Sequence, residues 1–289
     1  MKASKLAKRY RITHGKKFRL KDCDPSDKDG FSSVKDWSDL LQKASHDLQK
    51  MQDKLYARNQ WSLLIIIQAM DAAGKDGTIK HVMSGINPQG CEVHSFKSPS
   101  TEELDHDFLW RSTCRLPRRG KIGLFNRSYY EEVLIARVHP ELLEKQKLPE
   151  ECLGDNIWKD RFEDINAFER HMVRNGTRIL KFFLNISPGE QKKRFIARLE
   201  DPRKHWKFSA SDVQERKFWP QYMHAYEDMI RNTSTSHAPW YVVPANNKSY
   251  AHIVVGAVIL DALEKLNLSY PKVSKAQMQS LQAARKSLE

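Results

Sequence analysis

The sequence predicts an α/β fold in which a doubly wound parallel sheet of about five strands is flanked by helices. Short β-branched runs alternate along the chain with segments of helical periodicity. One of these runs, at residues 63–67, leads into a Gly-Lys turn that can open a helix. With 289 residues the chain can bury one large core or two modest ones, and the α/β pattern favours one main domain with appendages.

The first elements follow from composition and spacing. Residues 1–32 are basic and rich in turn-forming residues, which predicts an N-terminal arm lying on the domain. Apolar residues at helical spacing from Ser33 to Arg58 predict an amphipathic helix capped by Ser32 or Ser33. The strand at 63–67 and a helix over 76–83 come next.

The later elements continue the alternation of strands and helices. We expect further strands at 91–96, 121–125, 177–186 and 240–243, and helices at 102–113, 160–174, 188–199 and 250–266. Ser187 followed by Pro188 is typical of a helix start. The main domain then covers 33–270, and residues 271–289 form a polar C-terminal tail.

Charge narrows the class of ligand without identifying it. The chain carries 49 Lys and Arg against 36 Asp and Glu, a formal net charge of +13. Such an excess favours polyanionic ligands, and nucleic acid, an anionic membrane surface and phosphate-rich substrates all fit. A basic surface without a polyanionic ligand is the remaining alternative.

The cysteines and the apolar runs predict a cytoplasmic location. The four cysteines include no CxxC pair, so neither a zinc ribbon nor a disulfide scaffold is indicated, and we expect reduced thiols. No apolar run reaches membrane-spanning length, and no apolar run follows the basic N-terminus. We therefore expect neither export nor a membrane anchor.

The segment after the first strand, AMDAAGKDGT at residues 69–78, has the order of a phosphate-binding loop of the Walker A type. Backbone N–H groups at a helix N-terminus, together with Lys75, would bind phosphate oxygens. The match is imperfect because Ala69 replaces the first glycine and Asp76 replaces the hydroxyl residue after the lysine. An ordinary strand-to-helix connection is the alternative.

Asp71 lies inside this loop. A carboxylate at a phosphate site is repulsive unless a cation lies between the two. The residue therefore indicates either a divalent metal bridge or a group that orients a phosphorylated substrate.

A second polar segment follows the strand at 121–125. Asn126 occupies the place where phosphate-transferring sheets usually carry an acidic metal ligand. Arg127 would project into the same cleft, where its guanidinium can bind phosphate oxygens through two N–H groups. Pairing of Arg127 with Glu131 or Glu132 on a helix end is an equally good interpretation of this segment alone.

Cations dominate residues 191–216, where Trp206 and Phe208 lie among them. A cationic helix, a break at Asp201-Pro202 and a second helix from Asp212 are typical of a mobile lid that closes over phosphates, here at about 200–225. A solvated charged face is the alternative. The candidate lid cations, of which the first two lie one helical turn apart, are Arg194, Arg198, Lys204 and Lys207.

Four segments together resemble the polyphosphate kinase 2 family. They are residues 70–78, 107–111, 125–131 and 204–216, within a likeness that covers roughly residues 9–265. The chain is most similar to the class that phosphorylates both AMP and ADP, in which asparagine precedes the arginine. Asn126 departs from the aspartate of the other classes and fits this one.

The resemblance implies a P-loop kinase-like fold with a helical lid. It also implies reversible transfer of a terminal phosphoryl group from inorganic polyphosphate to AMP or ADP, and to GMP or GDP as further acceptors, with Mg²⁺ or Mn²⁺. Asp71 would place the metal and the acceptor phosphate, and Lys75 would bind the transferring group. Arg127, beside Asn126, would neutralise developing charge.

The resemblance also assigns the remaining site residues and the partners. The lid cations would hold polyphosphate or nucleotide, and the protein would form a homo-oligomer, either a dimer or a tetramer. The candidate phosphate- and nucleotide-binding residues are Ala72, Ala73, Gly74, Asp76, Gly77, Thr78, Lys80, Arg111, Glu131 and Arg137.

Two other functions remain open at this point. An ATP-dependent nucleoside monophosphate kinase of the thymidylate-kinase type would use a similar loop, strand and lid. A basic nucleic-acid-binding protein fits the charge, but the sequence contains no recognition motif for that function. We therefore expect no nucleic-acid partner and no membrane partner.

Overall fold

A computed structural model describes residues 3–29 and 34–289. Within them, five parallel strands form one sheet in the order β2-β3-β1-β4-β5. The bounds of the strands are β1 Ser62–Gln68, β2 Cys91–Ser95, β3 Ile122–Asn126, β4 Thr177–Asn185 and β5 Trp240–Pro244. The predicted α/β fold and its strands are confirmed, and the continuous apolar run at 63–67 is buried as the central strand.

Thirteen α-helices occur in the described residues. They are α1 Ala3–Tyr10, α2 Val34–Arg58, α3 Lys75–Val82, α4 Thr101–Leu104, α5 Trp110–Thr113, α6 Ile135–Val138, α7 Glu141–Glu144, α8 Ile157–Arg174, α9 Pro188–Glu200, α10 Ala210–Glu215, α11 Trp219–Thr233, α12 Lys248–Glu264 and α13 Lys275–Leu288. Ser187 caps α9 as predicted, because its Oγ accepts from the Glu190 N–H at 3.2 Å. The predicted caps Ser32 and Ser33 of α2 lie outside the described residues.

The order of the strands in the sheet indicates where a ligand cleft lies. The connection after β1 leads to one side of the sheet, towards β2, whereas those after β3 and β4 lead to the other side. The helices accordingly form two groups, one with α1, α2, α3 and α12 in contact and one with α6, α8 and α11 in contact. Ligand clefts of such sheets lie where the connections diverge, at the carboxyl ends of the strands. Here that place is beside the ends of β1 and β3, whose residues Ile67 and Asn126 are register partners.

The prediction of one helix over 102–113 is wrong. The structure has two short helices there, α4 and α5, separated by residues 105–109. Asp107 interrupts the helix because its Oδ1 accepts from the Leu109 N–H at 2.8 Å, a local bond that competes with helical hydrogen bonding. Apolar spacing alone does not report such a side-chain bond.

Helices occur at both ends of the chain, one within the predicted arm and one within the polar C-terminal segment, for which the sequence allowed a loose helix or a tail. In the predicted arm, α1 buries Leu6, Ala7 and Tyr10, and the Tyr10 hydroxyl bonds to that of Tyr250 at 2.8 Å. In the predicted polar tail, α13 begins at a capping box formed by Ser274 with Gln277, and all its side chains are exposed. None of the described helices is long and apolar enough to span a bilayer.

A fully buried ion pair holds the connection after β3 against the sheet. Lys181 in β4 donates to Glu169 Oε2 at 2.6 Å, to the Tyr130 hydroxyl at 2.8 Å and to the Thr233 carbonyl at 2.7 Å. Tyr129 also donates to Glu169, at 2.9 Å. Because all these partners are buried, the network fixes the residues that immediately follow Arg127.

Candidate active site

A cleft of about 990 Å³ opens at the carboxyl ends of β1, β2 and β3. Its floor is the loop at residues 71–77 with Asn126 and Arg127, and residues 95–98 form one wall. The remaining lining includes Arg198, near the end of α9, and Lys204, Trp206, Lys207 and Asp212 of the lid. The loop, the end of the third strand and the lid, which sequence predicted separately, therefore meet in one cleft.

The phosphate-binding loop has the backbone of a cradle. Gly74 adopts a left-handed conformation, with φ of 108° and ψ of 24°, at the N-cap of α3. The first turn of α3 then closes through the Thr78 N–H, which donates to the Gly74 carbonyl at 2.9 Å. The N–H groups at the start of a helix have no partner within it, so those at residues 75–77, which line the cleft, can bind an anion.

Lys75 lies across this loop. Its Nζ donates to the Ala69 carbonyl at 2.7 Å and to the Met70 carbonyl at 3.4 Å. Burial lowers the pKa of Lys75, whereas the charges of Asp71 and Glu131 raise it. The ammonium therefore lies at the cradle, held by neutral carbonyl oxygens that a phosphate oxygen can replace.

Arg127 lies in the same cluster. Its guanidinium donates to Asp71 Oδ1 at 2.9 Å and lies 3.6 Å from a Glu131 oxygen. Its backbone has a φ of 64°, which is uncommon for a residue other than glycine, and its N–H donates to the Ile67 carbonyl at 3.1 Å. Both sequence interpretations hold for Arg127, since it projects into the cleft and also pairs with Glu131.

The oxygen atoms beside this cluster suit a hard cation. Asp71 supplies a carboxylate, and Asn126 Oδ1 is buried with no hydrogen-bond partner in the structure. The Asn126 amide group donates to Asp76 at 3.1 Å. In the described part of the chain no cluster of three or more His, Cys, Asp or Glu could hold a metal alone. Mg²⁺ needs no such cluster, because it binds through one or two protein oxygens together with substrate phosphates.

Arg194 anchors the phosphate loop through hydrogen bonds to its backbone carbonyls. It is 7% exposed and donates to the carbonyls of Ala72 and Ala73 at 3.2 and 2.7 Å. On its other side it donates to the carbonyls of Ala245 and Asn246 at 2.6 and 3.1 Å. The expected lid cation is therefore a buried anchor that ties the phosphate loop to the segment after β5.

The other three predicted lid cations line the cleft, as Arg194 does. Lys207 Nζ is 3.8 Å from Asp76 Oδ2, and Arg198 is 3.6 Å from Asp212 Oδ2. Lys204 pairs with Asp201 at 2.8 Å. Burial and the charge of Asp71 raise the pKa of Asp212, which sequence analysis used only to mark a helix start. The lid thus already contacts the phosphate loop in this structure.

Five predicted binding residues do not line the cleft. Thr78 is buried and donates to the Gly74 carbonyl at 3.1 Å, while Lys80 is exposed on α3. Arg111 donates to the Lys97 carbonyl at 2.8 Å and is otherwise buried between carboxylates. Two more complete the set, Glu131, which contacts Arg127, and Arg137, which pairs with Asp228. These residues lie close to the motifs in sequence, but their side chains do not line the cleft. The sequence alone does not report which way a side chain points.

The cleft also contains a pair of histidines that the sequence motifs did not indicate. His81 on α3 and His252 on α12 stack with ring centroids 4.3 Å apart, and both line the cleft. Burial, followed by the neighbouring charges of His81, Lys248 and Arg194, lowers the pKa of His252 to about 4. The two residues are far apart in sequence, so only the packing of α3 on α12 brings them together.

Comparisons with known proteins agree on one family. The profile of the family described as Polyphosphate kinase 2 matches residues 32–271. An ADP-polyphosphate phosphotransferase of Rhodopseudomonas palustris is 50% identical over 283 residues, which cover 97% of this chain and 98% of that protein. An AMP/ADP-polyphosphate phosphotransferase of Meiothermus ruber is 43% identical over 270 residues, or 93% of this chain and 97% of the relative.

A solved structure has the same architecture over nearly the whole chain. The crystal structure of Polyphosphate Kinase 2 from Arthrobacter aurescens TC1 superimposes with a TM-score of 0.87 at 43% sequence identity. The match covers 96% of each chain. The likeness therefore includes the loop, the sheet and the lid rather than the core alone.

Substitution of Gly74 tests the cradle backbone. Gly74→Ala is expected to lower the free energy of unfolding by about 1–2 kcal/mol, because an L-residue is strained at a φ of 108°. The matched control is Gly189→Ala in the first turn of α9, where a Cβ meets nothing within 4 Å and no loss is expected. Urea unfolding measures both variants. An equal loss in the two, or none in Gly74→Ala, would contradict the assigned backbone strain.

His252 predicts a pH dependence of stability. Its pKa is about 4 in the folded chain and about 6.5 when unfolded, so between these values the unfolded state binds the extra proton. The stability that depends on neutral His252 is fully present above pH 6.5 and is lost as the pH falls towards 4. Between pH 7 and 4.5 the free energy of unfolding of His252→Gln should therefore fall by about 2–3 kcal/mol less than that of the wild type.

Unfolding curves recorded at several pH values measure this difference. His171→Gln, at an exposed position on α8, is the control and should follow the wild-type pH profile. If His252→Gln also follows that profile, burial of His252 does not govern its protonation.

Proposed function

The chain belongs to the polyphosphate kinase 2 family, and we propose that it transfers phosphoryl groups from inorganic polyphosphate to both AMP and ADP with Mg²⁺. Membership makes it an enzyme that phosphorylates a nucleotide with polyphosphate. Use of both acceptors is supported by the Meiothermus relative named for AMP and ADP and by Asn126. The reaction is reversible, because a phosphoanhydride bond is broken and another is formed.

The observation that carries this proposal is the meeting of three charged groups at the loop. Asp71, Lys75 and Arg127 come from two separate chain segments, and the Asp71–Arg127 contact is 2.9 Å. Phosphoryl transfer has a loose transition state, so catalysis depends on positioning and on charge rather than on a covalent nucleophile. A cradle of N–H groups with a lysine and an arginine supplies both requirements.

Each group has a distinct part in the proposed mechanism. The N–H groups at the start of α3 and Lys75 bind the phosphoryl group that is transferred. Arg127 exchanges its contact with Asp71 for phosphate oxygens as negative charge develops on them. Asp71, released from Arg127, would then help to place the metal and the acceptor phosphate.

Magnesium, when bound, would neutralise part of the phosphate charge. Asp71 and the Oδ1 atom of Asn126 are the chain's own oxygens that would hold it. The contacts of the lid with the loop and with Arg198 would keep water away from the transferring group. Water exclusion matters here, because hydrolysis would waste the phosphoanhydride.

The decisive assay separates the donors and the acceptors. Polyphosphate with Mg²⁺ and AMP should give ADP and ATP, and the reaction should stop on chelation and resume with Mg²⁺ or Mn²⁺. GMP and GDP test the further acceptors. Turnover of ATP with a nucleoside monophosphate in the absence of polyphosphate would instead favour the thymidylate-kinase type of enzyme.

Loss of either Lys75 or Arg127 should strongly lower the rate of the reaction. Lys75→Ala and Arg127→Ala are each expected to lower kcat/KM by at least about 100-fold, because each removes a charge that stabilises the transferring phosphoryl group. Exposed cations away from the cleft serve as controls, Lys50→Ala on α2 and Arg170→Ala on α8, and should keep wild-type rates. Wild-type rates in both loop variants would show that the site lies elsewhere.

A further inference from the structure

Trp206 is an unusual residue for the wall of a charged cleft. It lies in the lid segment Pro202–Lys207 and lines the cleft, yet 78% of its surface is exposed. Leaving so large an aromatic side chain in water forgoes the free energy of burying it. A ring kept exposed at a binding cleft calls for a ligand with an apolar surface.

Contact of the lid with the loop does not cover this ring. Lys207 is already 3.8 Å from Asp76 of the loop, and Arg198 already contacts Asp212 of the lid. Trp206 stays exposed in that arrangement. The ring therefore has a surface that the protein's own contacts at the lid leave available.

The charges around the ring favour a flat, anionic ligand. Lys207 Nζ lies over the Trp206 ring, 4.8 Å from its centroid, and Lys204 also lines the cleft. Cations beside an aromatic platform are the combination that binds nucleotides, since the base stacks on the ring and the phosphates meet the cations.

The two substrates of the proposed function differ in the surface that they offer. Polyphosphate is a chain of charged groups without apolar surface, whereas AMP and ADP carry a planar base. We propose that Trp206 is the platform on which the nucleobase of the acceptor stacks. This inference rests on the proposed function, because it assumes that a nucleotide occupies the cleft.

Stacking also predicts a pattern of base preference. A π-face accepts every base and binds the larger purines more strongly than pyrimidines, without reading the edge of the base. AMP and GMP should then bind with similar strength on this platform, and CMP and UMP should bind more weakly. The preference would come from ring size and not from a hydrogen-bond pattern.

Kinetics separates this role from a role in polyphosphate binding. Trp206→Ala should raise the KM for AMP and ADP by about 10- to 100-fold and leave the KM for polyphosphate unchanged. Trp206→Phe keeps an aromatic face and should recover most of the affinity. A rise in the KM for polyphosphate, a rise for both substrates, or no rise would each overturn the proposal.

Nucleotide binding gives a second readout that needs no turnover. AMP added without polyphosphate should quench tryptophan fluorescence in the wild type, and Trp206→Phe should lose that quenching. Trp61→Phe, at a residue outside the cleft lining, is the matched control and should retain it. Quenching that persists in Trp206→Phe would also overturn the proposal.

The two readouts keep this inference distinct from the proposed function. If AMP quenches Trp206 in the wild type but the wild type does not convert AMP and polyphosphate, the proposed reaction is wrong and the proposed role of Trp206 is supported. If the wild type converts both substrates and the Trp206 variants behave like it, the reaction is supported and the role of Trp206 is wrong.

Discussion

The hydrogen bonds between Arg194 and the loop carbonyls are the interaction on which the site depends. The guanidinium donates to the carbonyls of Ala72 and Ala73 in the loop and also to those of Ala245 and Asn246. Because Arg194 binds these carbonyl oxygens, the N–H groups at the start of α3, which have no partner within the helix, remain available to a ligand in the cleft. Ala72 has a φ of 60°, a strained value that such fixed neighbours make tolerable. A cation that anchors the backbone thus prepares a site for an anion.

Lys75 and Arg127 are partly shielded from water, and each has a partner within the protein that stabilises its charge. A substrate phosphate can replace both partners. Lys75 rests on backbone carbonyls, and Arg127 rests on Asp71 with Glu131 behind it. Burial raises the pKa of Glu131, while the charges of Arg127 and Lys75 oppose that rise. Phosphate would bring negative charge to Lys75, which rests on neutral carbonyls, and would replace Asp71 as the partner of Arg127. The Lys181–Glu169 pair holds Tyr130 and so limits how far the Arg127 segment can move during that exchange.

Local patterns predicted the sheet and the loop, because strand periodicity and a Gly-Lys turn are properties of neighbouring residues. They did not predict which way a helical side chain points. Arg194 and Arg198 are one turn apart and both line the cleft, yet Arg194 is largely buried against the loop carbonyls, whereas Arg198 lies beside Asp212. Arg137 turned out to pair with Asp228. The His81–His252 stack depends on the packing of α3 against α12, and a single sequence holds no local signal for it.

In the proposed mechanism this cradle binds phosphate by exchanging its own internal contacts. A crystal structure of the protein with Mg²⁺ and tripolyphosphate is the most direct test. We expect phosphate oxygens within hydrogen-bond distance of Lys75 Nζ and of the N–H groups at residues 75–77, with the guanidinium of Arg127 moved from Asp71 to phosphate. Tripolyphosphate bound elsewhere, while Lys75 still donates to the Ala69 carbonyl and Arg127 to Asp71, would contradict it.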